Sequence, residues 1–290
     1  MNGIFLIDKE PGCTSRDVVN EIMRKTETAK VGHTGTLDPM ASGVLIICVG
    51  RATKLVSHLT ASDKEYLAEI TLGIATDTLD STGEIIKEEF VDISDEDIIA
   101  AVTSMLGEYE QEVPIYSAIK IKGKKLYEYA RAKENVVLPK RRVNIMNINM
   151  ASPIKRENGR IIFSIECKVS KGTYIRSLVR DIALKLNTIG IMSNLRRKTQ
   201  GKFTIDECKK IDDISLLDIK PIKYCLRDVY TVYATDVLKK EILNGKIIKN
   251  IYDSDEVLFI DENENVLALY HVYEKDTIML KPNVMIGGIK

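Results

Sequence analysis

The 290-residue chain has no tryptophan, only three histidines (His33, His58, His271), seven prolines and five phenylalanines. Its five cysteines, Cys13, Cys48, Cys167, Cys208 and Cys225, are scattered and odd in number, with no Cys-x-x-Cys pair. That pattern, with so few histidines, predicts neither a disulfide scaffold nor a zinc-type metal site. Long apolar runs are missing too. A run such as Val44 to Val49 falls far short of the about 20 residues a membrane helix needs. The first nine residues, Met1 to Lys9, carry no basic head or cleavage site and do not read as a signal peptide. Internal repeats and low-complexity linkers are also absent. The expectation is a reduced, cytoplasmic, metal-free chain. What is present, 44% hydrophobic and 29% charged residues, excludes disorder and suffices for a core without covalent staples.

Charge of one sign is lacking as well, since 42 basic and 42 acidic residues cancel. A neutral total argues against a polyanionic partner, but the distribution argues for one. Asp80 to Glu112 holds eleven acids and one lysine; Lys120 to Arg142 holds nine bases and two acids; Lys155 to Lys210 holds fourteen bases and five acids. Such segregation lets a neutral protein present one positive face. A single charge run is more simply a solvated surface, whereas two basic blocks that both carry Tyr or Gly favour a polyanion without naming it.

Hydrophobic spacing gives an α+β chain. Strands are expected over 3–8, 43–50, 64–74, 141–150 and 160–170, with hairpin-like neighbours that favour a mixed, largely antiparallel sheet. Helices are expected from Asp17 to Lys25 with Ser15 as cap, over 51–60, from a Ser94–Asp97 capping box to Gly107, and from Gly172 to Asn187. Near Asp228 the texture shifts to short β-type runs (256–260 and 266–270), the turn Asp261–Asn265 and a helix from Ala234 to Leu243. The expected division is therefore 1–228 and a small β-rich unit, 229–290, that leans on its neighbour.

The most informative segment is Gly32-His33-Thr34-Gly35-Thr36-Leu37-Asp38-Pro39-Met40-Ala41-Ser42-Gly43-Val44-Leu45. Pro39 restricts Asp38 to an extended backbone, and the glycines allow conformations other residues avoid. A carboxylate on so rigid a loop suits a nucleophile or a base. An Asp before Pro equally suits hydrogen bonds that tie the loop together.

This segment resembles the catalytic motif of the TruB-type tRNA pseudouridine synthases, and the resemblance extends in the family's order across residues 3–205. Asp8-Lys9-Glu10-Pro11-Gly12 resembles the N-terminal signature, Lys64-Glu65-Tyr66 the tyrosine motif, and Pro114-Ile115-Tyr116-Ser117-Ala118-Ile119-Lys120 the approach to the RNA-gripping thumb. Lys171-Gly172-Thr173-Tyr174-Ile175-Arg176 resembles the arginine motif and Leu195-Arg196-Arg197 the late leucine motif. The chain departs from the pattern at Val113-Pro114, where the family has Pro-Pro, and at Ala132-Lys133, where it has a Gly.

The resemblance implies a pseudouridine synthase fold in 1–228, with a thumb-like insertion over about 113–142, and a small PUA-like RNA-binding unit in 229–290. It implies isomerisation of the T-loop uridine at tRNA position 55, with no cofactor and no metal. Asp38 would be the nucleophile, Arg176 its partner, and Tyr66 the ring on the flipped uracil. His33, Tyr174 and Leu195 would meet the RNA or line the pocket, with Lys9 a support near the loop. Lys120, Lys122, Lys124, Lys125, Lys140, Arg141 and Arg142 would contact phosphates. The short C-terminal unit favours the stand-alone bacterial type: a monomer acting on the tRNA T-arm, without an obligate protein partner or a membrane. A reading of another class is an RNA-folding chaperone that opens the tRNA elbow. Asp38 separates the two, because opening RNA needs no carboxylate.

Overall fold

The computed structural model describes residues 1–288. Seven strands make the spine of a ten-stranded sheet: β1 (Gly3–Lys9), β2 (Ser42–Val49), β3 (Lys64–Leu72), β4 (Gly107–Glu112), β5 (Lys140–Met150), β6 (Arg160–Val169) and β7 (Gly190–Gln200). Their order is β1-β2-β7-β3-β6-β5-β4. Every pair along it is antiparallel except β7 on β2, which run parallel at Arg196–Ser42 and Arg197–Gly43. That contact is close. Gly43 has φ +105°, and a Cβ there would lie 2.2 Å from the Arg197 carbonyl oxygen, so only glycine lets the strands meet.

Both faces of the central strands are buried, which is why Val44 to Val49 reads as an unbroken apolar run rather than an alternating one. Leu45, Ile47 and Val49 face a core shared with α1 (Ser15–Thr26), α2 (Asp95–Thr103) and, beyond the short α3 (Leu126–Arg131), α4 (Ile175–Lys185). Val18 and Ile22, Ile98 and Val102, and Leu178 and Ile182 are the anchors those helices contribute. Val44, Ile46 and Cys48 face the opposite way, together with Ile4 and Leu6.

That second face is covered by the C-terminal residues. A five-stranded sheet is built from β8 (Tyr230–Tyr233), β9 (Ile248–Lys249), β10 (Glu256–Ile260), β11 (Val266–Tyr273) and β12 (Asp276–Met285), in the order β8-β10-β11-β12-β9. Alternation along β10 explains its double role. Leu258 and Ile260 join the core under Ile4 and Ile46, while Val257 and Phe259 pack with Ile242 of α5 (Asp236–Leu243). The Phe259 and Tyr270 rings meet edge-to-face at 5.2 Å.

Several sequence expectations need correction at element ends. The first helix is capped by Thr14, not Ser15. Thr14 Oγ1 accepts from Asp17 N at 3.1 Å and Asp17 Oδ2 accepts from Thr14 N at 2.8 Å, a complete capping box. The helix opened by Ser94 ends at Thr103, and Gly107 instead begins β4. The helix expected from Gly172 starts at Ile175, because Gly172 has φ +83° and Tyr174 is still extended. Residues 50–55 are a 3₁₀ turn that precedes a short helix, Val56–Thr60. Within Ala132-Lys133, Lys133 has φ +53°, the left-handed conformation in which helices prefer to end on glycine.

Parts of the acidic and basic blocks meet in the fold. β4 runs antiparallel to β5, setting Lys140, Arg141 and Arg142 opposite Glu112, Gln111 and Glu110. Arg142 pairs with Glu108 at 2.5 Å, Arg156 with Asp95 at 2.6 Å and Arg180 with Glu112 at 3.0 Å. Segments far apart in charge along the chain are neighbours in the sheet, so much of the acidic block neutralises the basic ones. Among the described residues no helix is long and apolar enough to cross a membrane.

Candidate active site

A cleft of about 870 Å³ opens where the loop before β2, the start of β3, the β6–α4 connection and residues 117–118 converge. Asp38 lies on the loop before β2, and this loop is held from beneath. Lys9, 1% exposed, donates from Nζ to the carbonyls of Glu10 (2.9 Å), Pro39 (3.2 Å) and Ala41 (2.7 Å). Ser15, freed from capping, bonds both main-chain groups of Leu37, at 2.9 and 3.1 Å. Arg197 adds Nη2 to Gly35 O at 3.1 Å, and Gln200 donates to Thr34 O at 3.0 Å. Four buried side chains thus fix the backbone on either side of Asp38.

Its carboxylate is gripped by Arg176 from the first turn of α4. Nε lies 2.9 Å from Oδ2 and Nη2 lies 3.1 Å from Oδ1, the two-pronged geometry guanidinium favours. The remaining Arg176 donors reach Thr78 O (2.9 Å) and Tyr116 O (3.0 Å), with Asp80 Oδ2 3.8 Å away. Asp80 is itself buried, accepting from Thr78 Oγ1 at 2.7 Å and from Thr82 Oγ1 at 2.6 Å. Between the Thr78 carbonyl and Asp80 stands Leu79 at φ +64°, an unusual backbone for a branched side chain. Burial pushes the Asp38 carboxyl above its ordinary value; Arg176 and Lys9 oppose this and the like charge of Asp80 adds to it. The guanidinium therefore moderates the desolvation of Asp38 but does not overcome it.

Around this pair the cleft is walled by Tyr66 on β3, Leu195 on β7 and Tyr174 at the start of α4. Tyr66 and Leu195 are 8% and 5% exposed, so each shows the cleft only an edge. Tyr174 is placed by Gln111 of β4, a 1%-exposed side chain that accepts from Tyr174 N (2.8 Å) and donates to Tyr174 O (3.1 Å). Arg141, Arg142 and Lys171 stand at the mouth. Lys64 lines the same wall; burial, reinforced by Arg197 and Lys171, lowers its pKa to about 8.

The expected site residues thus divide. Asp38, Tyr66, Tyr174, Arg176, Leu195, Arg141 and Arg142 come together at the cleft, although residues 38 and 176 are far apart in sequence. His33, expected to meet the RNA, and Lys9, expected as a support near the loop, do not line it. Lys9 is consumed by carbonyls beneath the loop. His33 sits on a short strand, Val31–His33, paired to β2, and its Nδ1 accepts from Gly35 N at 3.3 Å. Burial, with Arg16 and Arg197 nearby, lowers the His33 pKa and keeps the ring neutral.

Lys120, Lys122, Lys124, Lys125 and Lys140 also lie off the cleft wall. The first four flank a short hairpin in which Lys124 pairs with Glu134 at 2.7 Å and Lys125 donates to the Tyr127 hydroxyl at 3.1 Å. Sequence reasoning gave no role to Asp80, Gln111, Arg197, Lys64 or Ser117. Asp80 stands in a Gly- and Thr-rich turn and Lys64 beside Tyr66, both of which carried a signal; Gln111 carried none, being one polar residue in an acidic strand. Among the described residues no group of three or more His, Cys, Asp or Glu side chains is arranged to hold a metal ion.

Comparison with known proteins bears on this cleft. Residues 23–175 match the family model of the TruB family pseudouridylate synthase N-terminal domain. The tRNA pseudouridine synthase B of Bacillus subtilis (strain 168) is 40% identical over 298 residues, spanning 97% of this chain and 96% of that protein. The protein of the same name from Alkaliphilus oremlandii is 43% identical over 262 residues, spanning 89% and 86%. Among solved structures, a chain of a Cbf5–Nop10–Gar1 complex superposes with a TM-score of 0.71 at 24% identity, covering 99% of this chain and 85% of that one, and so shares the fold.

Proposed function

This chain belongs to the TruB family of pseudouridylate synthases, and from that premise we propose that it converts the T-loop uridine at position 55 of tRNA to pseudouridine, with Asp38 as the nucleophile acting on a flipped-out base. Its activity class is that of an isomerase, a tRNA pseudouridine synthase. It works in the cytoplasm, without an obligate protein partner.

The observation that carries the proposal is the unequal burial of the ion pair. The Asp38 side chain keeps 30% exposure toward the cleft while that of Arg176 keeps 6%. A carboxylate fixed in direction by a guanidinium, yet open on one side to a cleft with ample room for a base, is arranged to meet a ligand and not only to tie its loop. The reaction breaks the bond from uracil N1 to ribose C1′ and forms one from C5 to C1′. C5 loses its hydrogen as a proton and N1 gains one, so the composition is unchanged and no electron acceptor is needed. Asp38 can open this sequence by attack on C6 of uracil or on C1′ of the ribose. Either route needs the ionised form, and a carboxylate of raised basicity is the stronger nucleophile.

The base must leave its stack to reach Asp38, at a cost of a few kcal/mol. Tyr66 and Leu195 border the space a flipped pyrimidine would occupy, and the Tyr66 hydroxyl is suited to take part in removing the C5 proton. Arg141, Arg142 and Lys171 at the mouth suit backbone phosphates, which position RNA without reading its sequence. The experiment is tritium release from tRNA transcribed with [5-³H]uridine. One equivalent released per tRNA is expected, and no release would overturn the proposal.

A further inference from the structure

Arg176 is steadied by two main-chain oxygens that come from separate segments. Thr78 O, in the turn over 77–84, accepts from Nη1 at 2.9 Å. Tyr116 O, at the base of the insertion between β4 and β5, accepts from Nη2 at 3.0 Å. Nη2 also donates to Asp38 Oδ1 at 3.1 Å, so the Tyr116 carbonyl and the carboxylate share one nitrogen. The two segments are anchored unequally. The turn is fastened to β7: Met192 N donates to Leu79 O at 3.1 Å, Ser81 N to Met192 O at 3.2 Å and Ser81 Oγ to Ser193 O at 3.2 Å. Residues 114–119 hang from Val113, whose N donates to Pro139 O at 3.0 Å where the insertion leaves β4. Their own main-chain bonds stay within the insertion, from Leu126 N to Ile119 O at 2.8 Å and from Tyr127 N to Ser117 O at 3.2 Å. One side chain joins the loose segment to the firm one. The Tyr116 hydroxyl donates to Asp77 Oδ2 at 2.8 Å, while Asp77 Oδ1 accepts from Glu84 N at 2.8 Å and is thereby fixed in the turn. Among the described residues this is the only direct hydrogen bond between 77–84 and 113–119.

We propose that Tyr116 is a positioning residue for the Asp38–Arg176 pair: its hydroxyl, tied to Asp77, sets the place of its own carbonyl and so the orientation of the guanidinium that grips Asp38. This rests on the proposed isomerisation at the same cleft. The bond has the chemistry the task needs, since a hydroxyl donating to a carboxylate is roughly twice as strong as a bond between neutral groups. With Thr78 O on Nη1 and Tyr116 O on Nη2, the guanidinium is held at two corners and cannot swing. Asp38 then keeps the direction that attack on the base or the ribose requires. Without the hydroxyl, residue 116 follows the insertion and not the turn, and Nη2 loses its fixed acceptor. A shift of about 1 Å in a catalytic group can cost about 10²-fold in rate. Tyr116 acts through Arg176 and has no contact with the base in this assignment.

The test uses the full chain and tRNA transcribed with [5-³H]uridine. Tyr116→Phe keeps the ring and removes only the hydroxyl. The expected result is kcat down about tenfold, with the tRNA dissociation constant within about twofold of wild type. Arg176 and Lys9 oppose the burial and the Asp80 charge that raise the Asp38 pKa, so a loosened Arg176 should also move the acid limb of kcat to higher pH. In an Asp77→Ala background the hydroxyl has no acceptor, and Tyr116→Phe should then change kcat by less than about twofold. An unchanged kcat for Tyr116→Phe would overturn the positioning role while leaving the isomerisation standing. So would an equal effect in both backgrounds, or a lower kcat with the acid limb unmoved, the mark of a merely structural hydroxyl. A loss confined to tRNA affinity would also overturn it, assigning the tyrosine to the grip on RNA. Absence of tritium release by the wild-type protein would overturn the proposed isomerisation, and the Tyr116 role with it.

Discussion

Replacing Asp38 by Asn separates a nucleophile from a loop tie, because the two roles respond oppositely to loss of charge alone. In the native site Asp38 Oδ1 accepts from Arg176 Nη2 at 3.1 Å, and Oδ2 lies 2.9 Å from Nε as an ion pair. The Asn oxygen can keep one of these contacts. Its NH₂ would face the other guanidinium N–H, donor against donor. One hydrogen bond to a charged group then disappears, at a cost of about 1.5–3 kcal/mol. Two effects offset that cost. The burial that drives the Asp38 carboxyl upward no longer penalises a charge at this position. Arg176 also keeps Thr78 O at 2.9 Å, Tyr116 O at 3.0 Å and the Asp80 carboxylate at 3.8 Å, so it is not left as an unpaired buried cation.

The unfolding free energy of Asp38→Asn should therefore stay within about 2 kcal/mol of wild type. The tRNA dissociation constant should stay within about tenfold, or about 1.4 kcal/mol. Isomerisation should fall by at least about 10⁴-fold, about 5 kcal/mol of barrier, because neither attack route works without the carboxylate. Chemical denaturation, filter binding and tritium release on one preparation read all three quantities. Turnover above about a hundredth of wild type would refute the nucleophile. A variant that loses its fold and its RNA binding together would show that Asp38 only ties the loop.

Tyr66→Phe keeps the ring and should bind tRNA normally while slowing turnover by about 10²–10⁴-fold, the usual contribution of a positioned acid or base; full activity of both the Phe and Leu variants would reduce Tyr66 to packing. Because burial raises the Asp38 pKa, the acid limb of kcat/KM should lie above the ordinary carboxylate value of 3.8, with activity lost as pH falls through it. The same shift sets a stability linkage. A folded pKa above the unfolded one gives a contribution present below the unfolded value and lost as pH rises through the folded value, so Asp38→Asn should gain on wild type between acid and neutral pH in denaturation curves. Neutralising Lys124, Lys125, Arg141 and Arg142 should shallow the salt dependence of tRNA binding by about 0.7–0.9 for each phosphate no longer neutralised. Arg141, which has no acidic partner among the described residues, should account for more of that change than Arg142, which trades Glu108 for a phosphate; an unchanged slope would place the grip elsewhere.

Much of this site was legible before the fold was known, for identifiable reasons. Asp38 and Tyr66 sit in local patterns, a Gly- and Pro-rich loop and an alternating strand, whose conformations the residues themselves dictate, whereas Arg176 and Leu195 were reached only through the family resemblance. Strand β2 showed as an apolar run because both its faces are covered. What escaped depended on pairings between distant segments. Composition showed the acidic 80–112 and basic 120–142 blocks as separate charge runs, and only the pairing of β4 with β5 shows that their ends are neighbours. Gln111 is one polar residue in an acidic strand, and only its position beside Tyr174 reveals a clamp. Helix ends were misplaced where two residues competed for one task. Thr14 outcompetes Ser15 as cap because its Asp17 partner completes a reciprocal pair, and Ser15 is then free to hold Leu37. Lys9 was read as support near the loop, but its complete burial under three carbonyls depends on where the loop folds back.

The reaction proposed for this cleft is isomerisation of one uridine in the T-loop of tRNA. Base-resolution chemical mapping of pseudouridine reads that outcome itself, in an unmodified tRNA transcript incubated with the wild-type protein and no added cofactor. A single new pseudouridine is expected, at position 55, approaching one per tRNA. No pseudouridine in the transcript, or pseudouridine only at positions outside the T-loop, would contradict the assignment.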